Sequence, residues 1–332
     1  MTAAPLLKAE DLRVVFRVDD HEVRALDGVD IDVAPAEIHG VVGESGCGKT
    51  TLGRALLRLV PLRSGTVAIG GVDITALRGR SLRRARAQMQ MIFQSPWSSL
   101  NPRMPVGRAI GEAARAHGRS RGRDVEVEVA ELLELVGLDA DVAARYPDAF
   151  SGGQRQRIAI ARALAVRPRF IVADEAIASL DVSVGEQIVE LLLELRERLG
   201  LAYLFISHDL SAVERLSERV TVMYLGTVVE RTSTETLFRD PAHPYTVALL
   251  AAAPGRYPRE VRRRYVLEGD PPSPIDPPPG CRFWPRCPVG PLHDPTRSVC
   301  RSVTPELVDL GGGHHVACHF PREVRLPDPA VR

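Results

Sequence analysis

The chain has 332 residues, 45% of them hydrophobic and 26% charged, with a formal net charge of +1. That is an ordinary globular composition, long enough for about two domains and a sizeable core that needs no staples. The charge balance argues against nucleic acid as the main partner, and no apolar run nears the ~18 residues that a membrane-spanning helix requires. Basic clusters at Arg83-Arg84 with Arg86, and at Arg262-Arg263-Arg264, read as solvated faces. Met1 to Glu10 lacks the charged segment and long apolar run of a signal peptide. The chain is therefore expected to stay in the cytoplasm and to reach any membrane process by docking.

In chain order, residues 11 to 33 read as β-hairpin material. Glu37-Ile38-His39-Gly40-Val41-Val42 is a short apolar strand that runs into a glycine-rich loop. Thr51 to Leu59 is expected to be helical, with Leu52, Leu56 and Leu59 on one face. Residues 64 to 74 again alternate, with turns at Gly70-Gly71. Residues 106 to 165 look wholly helical. Phe170-Ile171-Val172-Ala173 is a buried strand ending in Asp174-Glu175, Gly185 to Leu199 an amphipathic helix, Leu201 to Ile206 a strand ending at Ser207-His208, and Val220 to Leu225 one more strand. Strands that alternate with helices and carry polar residues at their C-terminal ends predict a mainly parallel sheet with its site there. Ten prolines precede Ala253 and sixteen follow it. That shift, with Pro271-Pro272, Pro274 and Pro277-Pro278-Pro279, marks a domain boundary and a stiff linker.

The chemistry centres on Gly43-Glu44-Ser45-Gly46-Cys47-Gly48-Lys49-Thr50, which fits G-x-x-x-x-G-K-[ST]. Glycines let backbone N–H groups turn inward around a phosphate, Lys49 supplies a cation for the β- and γ-phosphates, and the Thr50 hydroxyl suits Mg²⁺. A helix beginning at Thr50 and Thr51 would point its N-terminus at the anion. Asp174 ends a buried strand, where a carboxylate can reach the Mg²⁺ shell. Glu175 follows it, placed to orient or deprotonate an attacking water.

Phe150-Ser151-Gly152-Gly153-Gln154-Arg155-Gln156-Arg157 resembles the signature of ABC-transporter ATPases, with Phe for the commoner leading Leu. Other elements are similar to that family too: Gln94 in Ile92-Phe93-Gln94-Ser95, Asp181 in Ser179-Leu180-Asp181, His208 in Ile206-Ser207-His208-Asp209, and Phe16, which lies 27 residues before Gly43. The resemblance implies an α/β fold: a P-loop NTPase (RecA-like) core with an antiparallel β subdomain and an inserted helical subdomain at about 95–165. It assigns 1–253 to the ATPase and 254–332 to a Cys/Pro-rich C-terminal region of regulatory or metal-cluster type. It implies that Phe16 stacks on adenine, that Gln94 joins Thr50 and Asp174 near Mg²⁺, and that His208 contacts the γ-phosphate. It also implies that Ser151, Gly152 and Gly153 act on the nucleotide of an opposing subunit, with Gln154 and Asp181 as further nucleotide-binding residues. Where the family usually has Pro-Thr/Val-Ser-Ala after the Glu, this chain has Ala176-Ile177-Ala178-Ser179, so a hydroxyl near the dimer interface is missing.

Gln90 to Met104, Asp181-Val182-Ser183-Val184, Met223-Tyr224-Leu225-Gly226 and His243-Pro244-Tyr245-Thr246 narrow the resemblance to oligopeptide/dipeptide importer ATPases, and Gly43 to Arg54 to the second of their two ATPase subunits. The expected partners are a second ATPase, identical or distinct, two transmembrane permease subunits and an extracytoplasmic solute-binding protein. The expected place is the cytoplasmic face of the cell membrane, with a groove near Gln94 to Pro105, including Trp97, receiving a permease helix. The same engine serves nickel and other small solutes in this group. A soluble ABC ATPase is disfavoured because neither a tandem cassette nor a long coiled-coil insertion is present.

Four of five cysteines, Cys281, Cys287, Cys300 and Cys318, lie in the last sixth of the chain. In a cytosolic protein such clustering favours a metal over disulfides, and the ligand type suits zinc and iron–sulfur equally. His293, His314, His315 and His319 are further donors. Some importer ATPases carry a [4Fe–4S] cluster here, so the resemblance implies one, stapling a segment too poor in apolar residues to fold alone; zinc and free thiols are the alternatives.

Overall fold

The computed structural model describes residues 4–94, 100–116, 124–254, 256–258, 265, 267 and 269–327. Trp97 and Arg262 to Arg264 lie outside the described residues, so the expectations placed on them do too. Strands β1 (Leu7–Val18) and β2 (His21–Val33) lead to β3 (Ile38–Val42) and helix α1 (Lys49–Leu56). Then come β4 (Ser64–Ile69), β5 (Val72–Asp73), α2 (Gly79–Arg86) and β6 (Met89–Ile92). Helices α3 (Val106–Ala116), α4 (Asp124–Leu135) and α5 (Gly152–Leu164) follow, with 3₁₀ turns at Ala140–Ala144 and Pro147–Ala149 between the last two. The chain continues through β7 (Phe170–Asp174), α6 (Val182–Leu199), β8 (Ala202–Ile206), α7 (Leu210–Leu216), β9 (Arg219–Tyr224) and β10 (Thr227–Ser233). It ends with α8 (Thr234–Arg239), α9 (Pro244–Ala252), 3₁₀ turns at Trp284–Arg286 and Pro295–Arg301, β11 (Val308–Asp309) and β12 (His315–Val316).

The chain divides into two compact units. The first comprises Met1–Lys8, Asp32–Ile38 and Val67–Ser207. Its sheet is parallel: β6 pairs with β7 from Met89↔Phe170 to Ile92↔Ala173, and β7 with β8 from Phe170↔Ala202 to Asp174↔Ile206. All five residues of β7 and of β8 are buried, as expected of unbroken apolar runs in a parallel sheet covered on both faces. β6 is not legible in the sequence, because four residues reading Met-Gln-Met-Ile carry no clear period. At Gly70-Gly71 both φ angles are positive (56° and 78°), the conformation a two-residue hairpin turn demands, and β4 and β5 pair across it. Helices α3 and α4 approach closely because Gly111 presents no side chain to Val125; a Cβ there would lie 2.8 Å from Val125 Cγ1. Residues 106 to 165 are not wholly helical as their composition promises. Gly137, at φ 73°, stops α4, and Arg157 Nη1 donates to the Val136 carbonyl at 2.7 Å, so 136 to 151 run as turns and 3₁₀ pieces.

The second unit comprises Ala9–Ile31, His39–Thr66 and His208–Arg332. Asp19 and Asp20 both adopt positive φ (46° and 65°) and close the β1–β2 hairpin. Strand β3 lies parallel to β9, from His39↔Arg219 to Val42↔Val222. Strand β9 turns through Leu225-Gly226 into β10, and β10 then pairs antiparallel with β12, which pairs with β11. Helix α1 is shorter than its leucine pattern predicts. Arg58 takes φ 55°, the chain leaves the helix after Leu56, and Leu59 ends 47% exposed.

His243 caps α9: its Nδ1 accepts the Tyr245 N–H at 3.0 Å, and Pro244 fills the first helical position. The imidazole is 1% exposed, and burial lowers its pKa to about 4, against an upward pull from Glu230. Protonation removes the acceptor. The unfolded chain takes up this proton near pH 6.5 and the folded one only near 4, so stability is full above about pH 6.5 and lost as pH falls toward 4. We expect about 2 kcal/mol less stability at pH 5 than at pH 7 from this residue. Urea unfolding at both pH values checks it; a His243→Asn variant should lose that part of the pH dependence.

Candidate functional site

In the second unit, the turn from β3 into α1 is built by glycines. Gly43 (φ 151°) and Gly48 (φ 105°) hold conformations that other residues rarely adopt. A Cβ on Gly43 would lie 2.3 Å from the Met223 carbonyl oxygen, and one on Gly48 2.4 Å from that of Ala25. Gly46 (φ 80°) has nothing within 4 Å of its would-be Cβ, so its side of the loop is open. Lys49 is 5% exposed and donates from Nζ to the carbonyls of Gly43 (2.8 Å) and Glu44 (2.9 Å). A buried cation beside an open glycine loop at a helix start suits a polyphosphate. Ser45 is exposed, while Thr50 and Thr51 on α1 are half-buried. Cys47 packs inside with its thiol pushed up by burial, against the pull of Lys49, so it serves as a small apolar filler. Phe16 is half-buried on β1, and His208 begins the stretch His208–Arg332 with its side chain exposed.

Tyr245 belongs to this loop and was missed as a working residue. Its hydroxyl accepts the backbone N–H of Glu44 at 2.8 Å. The available signal was His243-Pro244-Tyr245-Thr246: the first two residues start α9, and the third then reaches the loop.

The first unit holds the acidic set. Asp174 is 3% exposed at the end of β7. Glu175 turns out of the strand at φ 49°, an unusual conformation for a bulky residue that costs about 1–3 kcal/mol and recurs at functional sites. Its N–H donates to the Ile206 carbonyl at 2.9 Å, and its Oε2 accepts from Gln94 Nε2 at 2.6 Å. Gln94 and Glu175 are thus brought together, 81 residues apart in sequence. Ala178 is exposed and its N–H closes a turn on the Glu175 carbonyl at 3.1 Å.

The signature forms the N-terminus of α5. Ser151 is the N-cap in a capping box with Gln154: the Ser151 N–H donates to Gln154 Oε1 at 3.0 Å, and Ser151 Oγ accepts from the Gln154 N–H at 3.4 Å. The hydroxyl proton is not used by that cap. Ser151, Gly152 and Gln154 are exposed, whereas Gly153 is buried, where a Cβ would meet Val184 Cγ1 at 2.4 Å. Asp181 caps α6 by accepting from the Val184 N–H and the Ser183 hydroxyl, both at 2.9 Å, and these bonds hold its carboxyl below the usual range.

The expected [4Fe–4S] cluster is not supported. Among the described residues no group of three or more His, Cys, Asp or Glu side chains is arranged to hold a metal. Cys281, Cys287, Cys300 and Cys318 are free thiols. Burial pushes Cys281 up to about 11 and Cys287 and Cys318 to about 12, and raises Cys300. Three of the histidines have other partners: His314 Nε2 lies 2.7 Å from Glu230 Oε1, His315 Nδ1 3.0 Å from the Gly313 carbonyl, and His319 Nε2 2.9 Å from the Val303 carbonyl. His293 is exposed. The tail is fastened by other means: β12 joins β10 at Glu230↔Val316, the Ala317 N–H donates to the Val229 carbonyl at 2.9 Å, and Phe283 is 1% exposed.

Residues 26–178 match the family described as ABC transporter, and residues 229–290 the family described as oligopeptide/dipeptide transporter, C-terminal region. The chain is 47% identical to a probable peptide ABC transporter ATP-binding protein, y4tS, of Sinorhizobium fredii, over 95% of this chain and 87% of that protein. It is 46% identical to the oligopeptide transport ATP-binding protein AppF of Bacillus subtilis, over 96% of this chain and 99% of that one. Among solved structures it resembles the ATP-binding cassette MJ0796 in a dimeric post-hydrolysis state bound to ADP and Pi, with a TM-score of 0.63 and 26% identity, covering 69% of this chain and 98% of that one.

Proposed function

The chain belongs to the ATP-binding subunits of the oligopeptide/dipeptide ABC importers, and from that membership we propose how its residues energise peptide uptake. It is an ATPase with a P-loop NTPase fold, it works with transmembrane permease subunits, and its hydrolysis drives import of peptides. Among the described residues no helix is long and apolar enough to cross a membrane. Because it works with permease subunits, we place it as a peripheral subunit at the cytoplasmic face.

Residues 1–253 carry the ATPase and 254–332 its C-terminal region. In our reading Phe16 stacks on the adenine. The loop from Gly43 through Ser45, Gly46, Cys47 and Gly48 wraps the phosphates. Lys49 neutralises the β- and γ-phosphates, with Thr51 supporting the helix start. Thr50, Asp174 and Gln94 hold Mg²⁺, which when bound offsets charge on the transferred phosphoryl group. Glu175 accepts the proton of the attacking water, and His208 orients the γ-phosphate. Ser151, Gly152, Gly153, Gln154 and Asp181 serve the nucleotide of a second ATPase subunit. The exposed signature carries this last point: a Ser hydroxyl proton and glycine backbone stand at a helix N-terminus, facing solvent within their own unit. Ala178 stands where a serine is usual, so no hydroxyl is offered there for communication between the two sites.

The test is reconstitution in proteoliposomes with the second ATPase, both permease subunits and the solute-binding protein. ATP-dependent uptake of labelled di- to pentapeptides is expected. Uptake of nickel with no response to peptide would replace the substrate class, and an absence of ATP hydrolysis would remove the reading altogether.

A further inference from the structure

Glu44 places a carboxylate inside a loop that must accept a polyanion. Every group of this residue is held within the second unit. Its N–H donates to the Tyr245 hydroxyl (2.8 Å), its carbonyl accepts from Lys49 (2.9 Å), and its carboxylate receives both prongs of Arg286, Nη1 to Oε2 at 2.8 Å and Nη2 to Oε1 at 3.2 Å. Arg286 is 242 residues away in sequence, in the 3₁₀ turn of the C-terminal region, and its side chain is 7% exposed. The same prong Nη1 also lies 3.5 Å from the Tyr224 hydroxyl.

The segment bearing Arg286 is anchored. Phe283 inserts among Tyr224, Tyr245 and His243, at ring separations of 5.3, 5.5 and 5.6 Å. Burial of such a ring fixes the turn that follows it. On its other side Arg282 donates to the Leu225 carbonyl, and the next residue, Gly226, donates its N–H to the Cys47 carbonyl of the loop at 2.9 Å. Arg282 also pairs with Asp27. Two arginines four residues apart therefore bear on the loop, one directly at Glu44 and one through the β9–β10 turn.

Resting on the reading of the loop as the ATP site, we infer that the C-terminal segment Cys281 to Cys287 is a clamp that pre-positions the phosphate loop, and that Arg286 is the positioning residue, cancelling the Glu44 charge so that the loop can take a nucleoside triphosphate. A bidentate guanidinium–carboxylate pair fixes direction as well as charge. Without it a half-buried carboxylate, 29% exposed, is left unpaired beside the phosphates, and each like charge at that range opposes binding.

The sign of the effect is testable. In the full-length chain, Arg286→Met should weaken binding of a fluorescent ATP analogue about tenfold and raise KM for ATP more than it lowers kcat. Glu44→Gln, which removes the carboxylate and keeps the backbone contacts, sets the reference affinity for a loop that has no charge to cancel. Combining the two should restore affinity to the level of Glu44→Gln. Rescue of this kind cannot come from a residue that merely holds the tail together. The inference is overturned if Arg286→Met binds as wild type does, or if the double variant stays as weak as Arg286→Met. Should Arg286→Met fail to yield folded protein, Arg286→Gln carries the same cycle and the same two overturning results. If wild type itself binds no nucleotide, the ATP-site reading fails rather than the clamp.

Discussion

Glu175→Gln should bind ATP and release phosphate at least about 100-fold more slowly than the parent chain. General-base assistance contributes about 10²–10⁴-fold, and the amide cannot accept the proton. The swap is close to isosteric, so the contact from Gln94 Nε2, 2.6 Å in the parent, survives with the amide oxygen as acceptor. The φ of 49° at this residue is equally strained for Gln and for Glu, which leaves the loop's conformational preference unchanged. The loss is therefore confined to chemistry. On the proposed reading, in which the signature serves a second subunit's nucleotide and hydrolysis parts the pair, the variant with ATP present should accumulate as closed dimers on size-exclusion chromatography. Single-turnover phosphate release and nucleotide binding measured on one preparation decide the matter: hydrolysis at the parental rate would refute Glu175 as the base.

A second large effect separates two glycines of one loop. Gly48→Ala puts a methyl 2.4 Å from the Ala25 carbonyl oxygen and 3.3 Å from Leu26 Cδ2, at φ 105°. The nearest obstacle is backbone of the β1–β2 hairpin, which cannot rotate away, so the start of α1 must shift and carry Lys49 with it. ATP affinity should drop by 100-fold or more. Gly46→Ala, two residues earlier, meets nothing within 4 Å but still pays the left-handed conformation at φ 80°. That strain is about 1–2 kcal/mol, or about 5- to 30-fold in affinity if it all appears in binding. Isothermal titration of both variants is the measurement. Equal losses would mean that the carbonyl of Ala25 does not limit the loop.

Much of this was legible from residue types. Phe170 to Ala173 and Leu201 to Ile206 declare buried parallel strands because both faces of such strands are apolar. Gly70-Gly71 declares a hairpin because only that turn needs two positive φ angles in a row. Other readings failed where a local pattern met a non-local constraint. Leu59 continues the apolar spacing of α1, yet Arg58 turns left-handed and leaves it exposed. The four tail cysteines have metal-like composition, but composition fixes neither the direction of a thiol nor its burial. Among the described residues they form no group arranged to hold a metal, and the tail is tied down by strand pairing and by Phe283.

By itself the sequence determined the chemical parts and their order: the glycine loop with Lys49, the buried strand ending in Asp174-Glu175, and the signature at Ser151. These rest on short-range backbone rules, where a few neighbouring residues set φ, helix start and strand end. Only the tertiary structure decided that Gln94 meets Glu175 and that Tyr245 and Arg286 hold Glu44. Those outcomes depend on contacts across 81, 201 and 242 residues. Such contacts are selected by packing shape and charge pairing, and no periodicity along the chain records them.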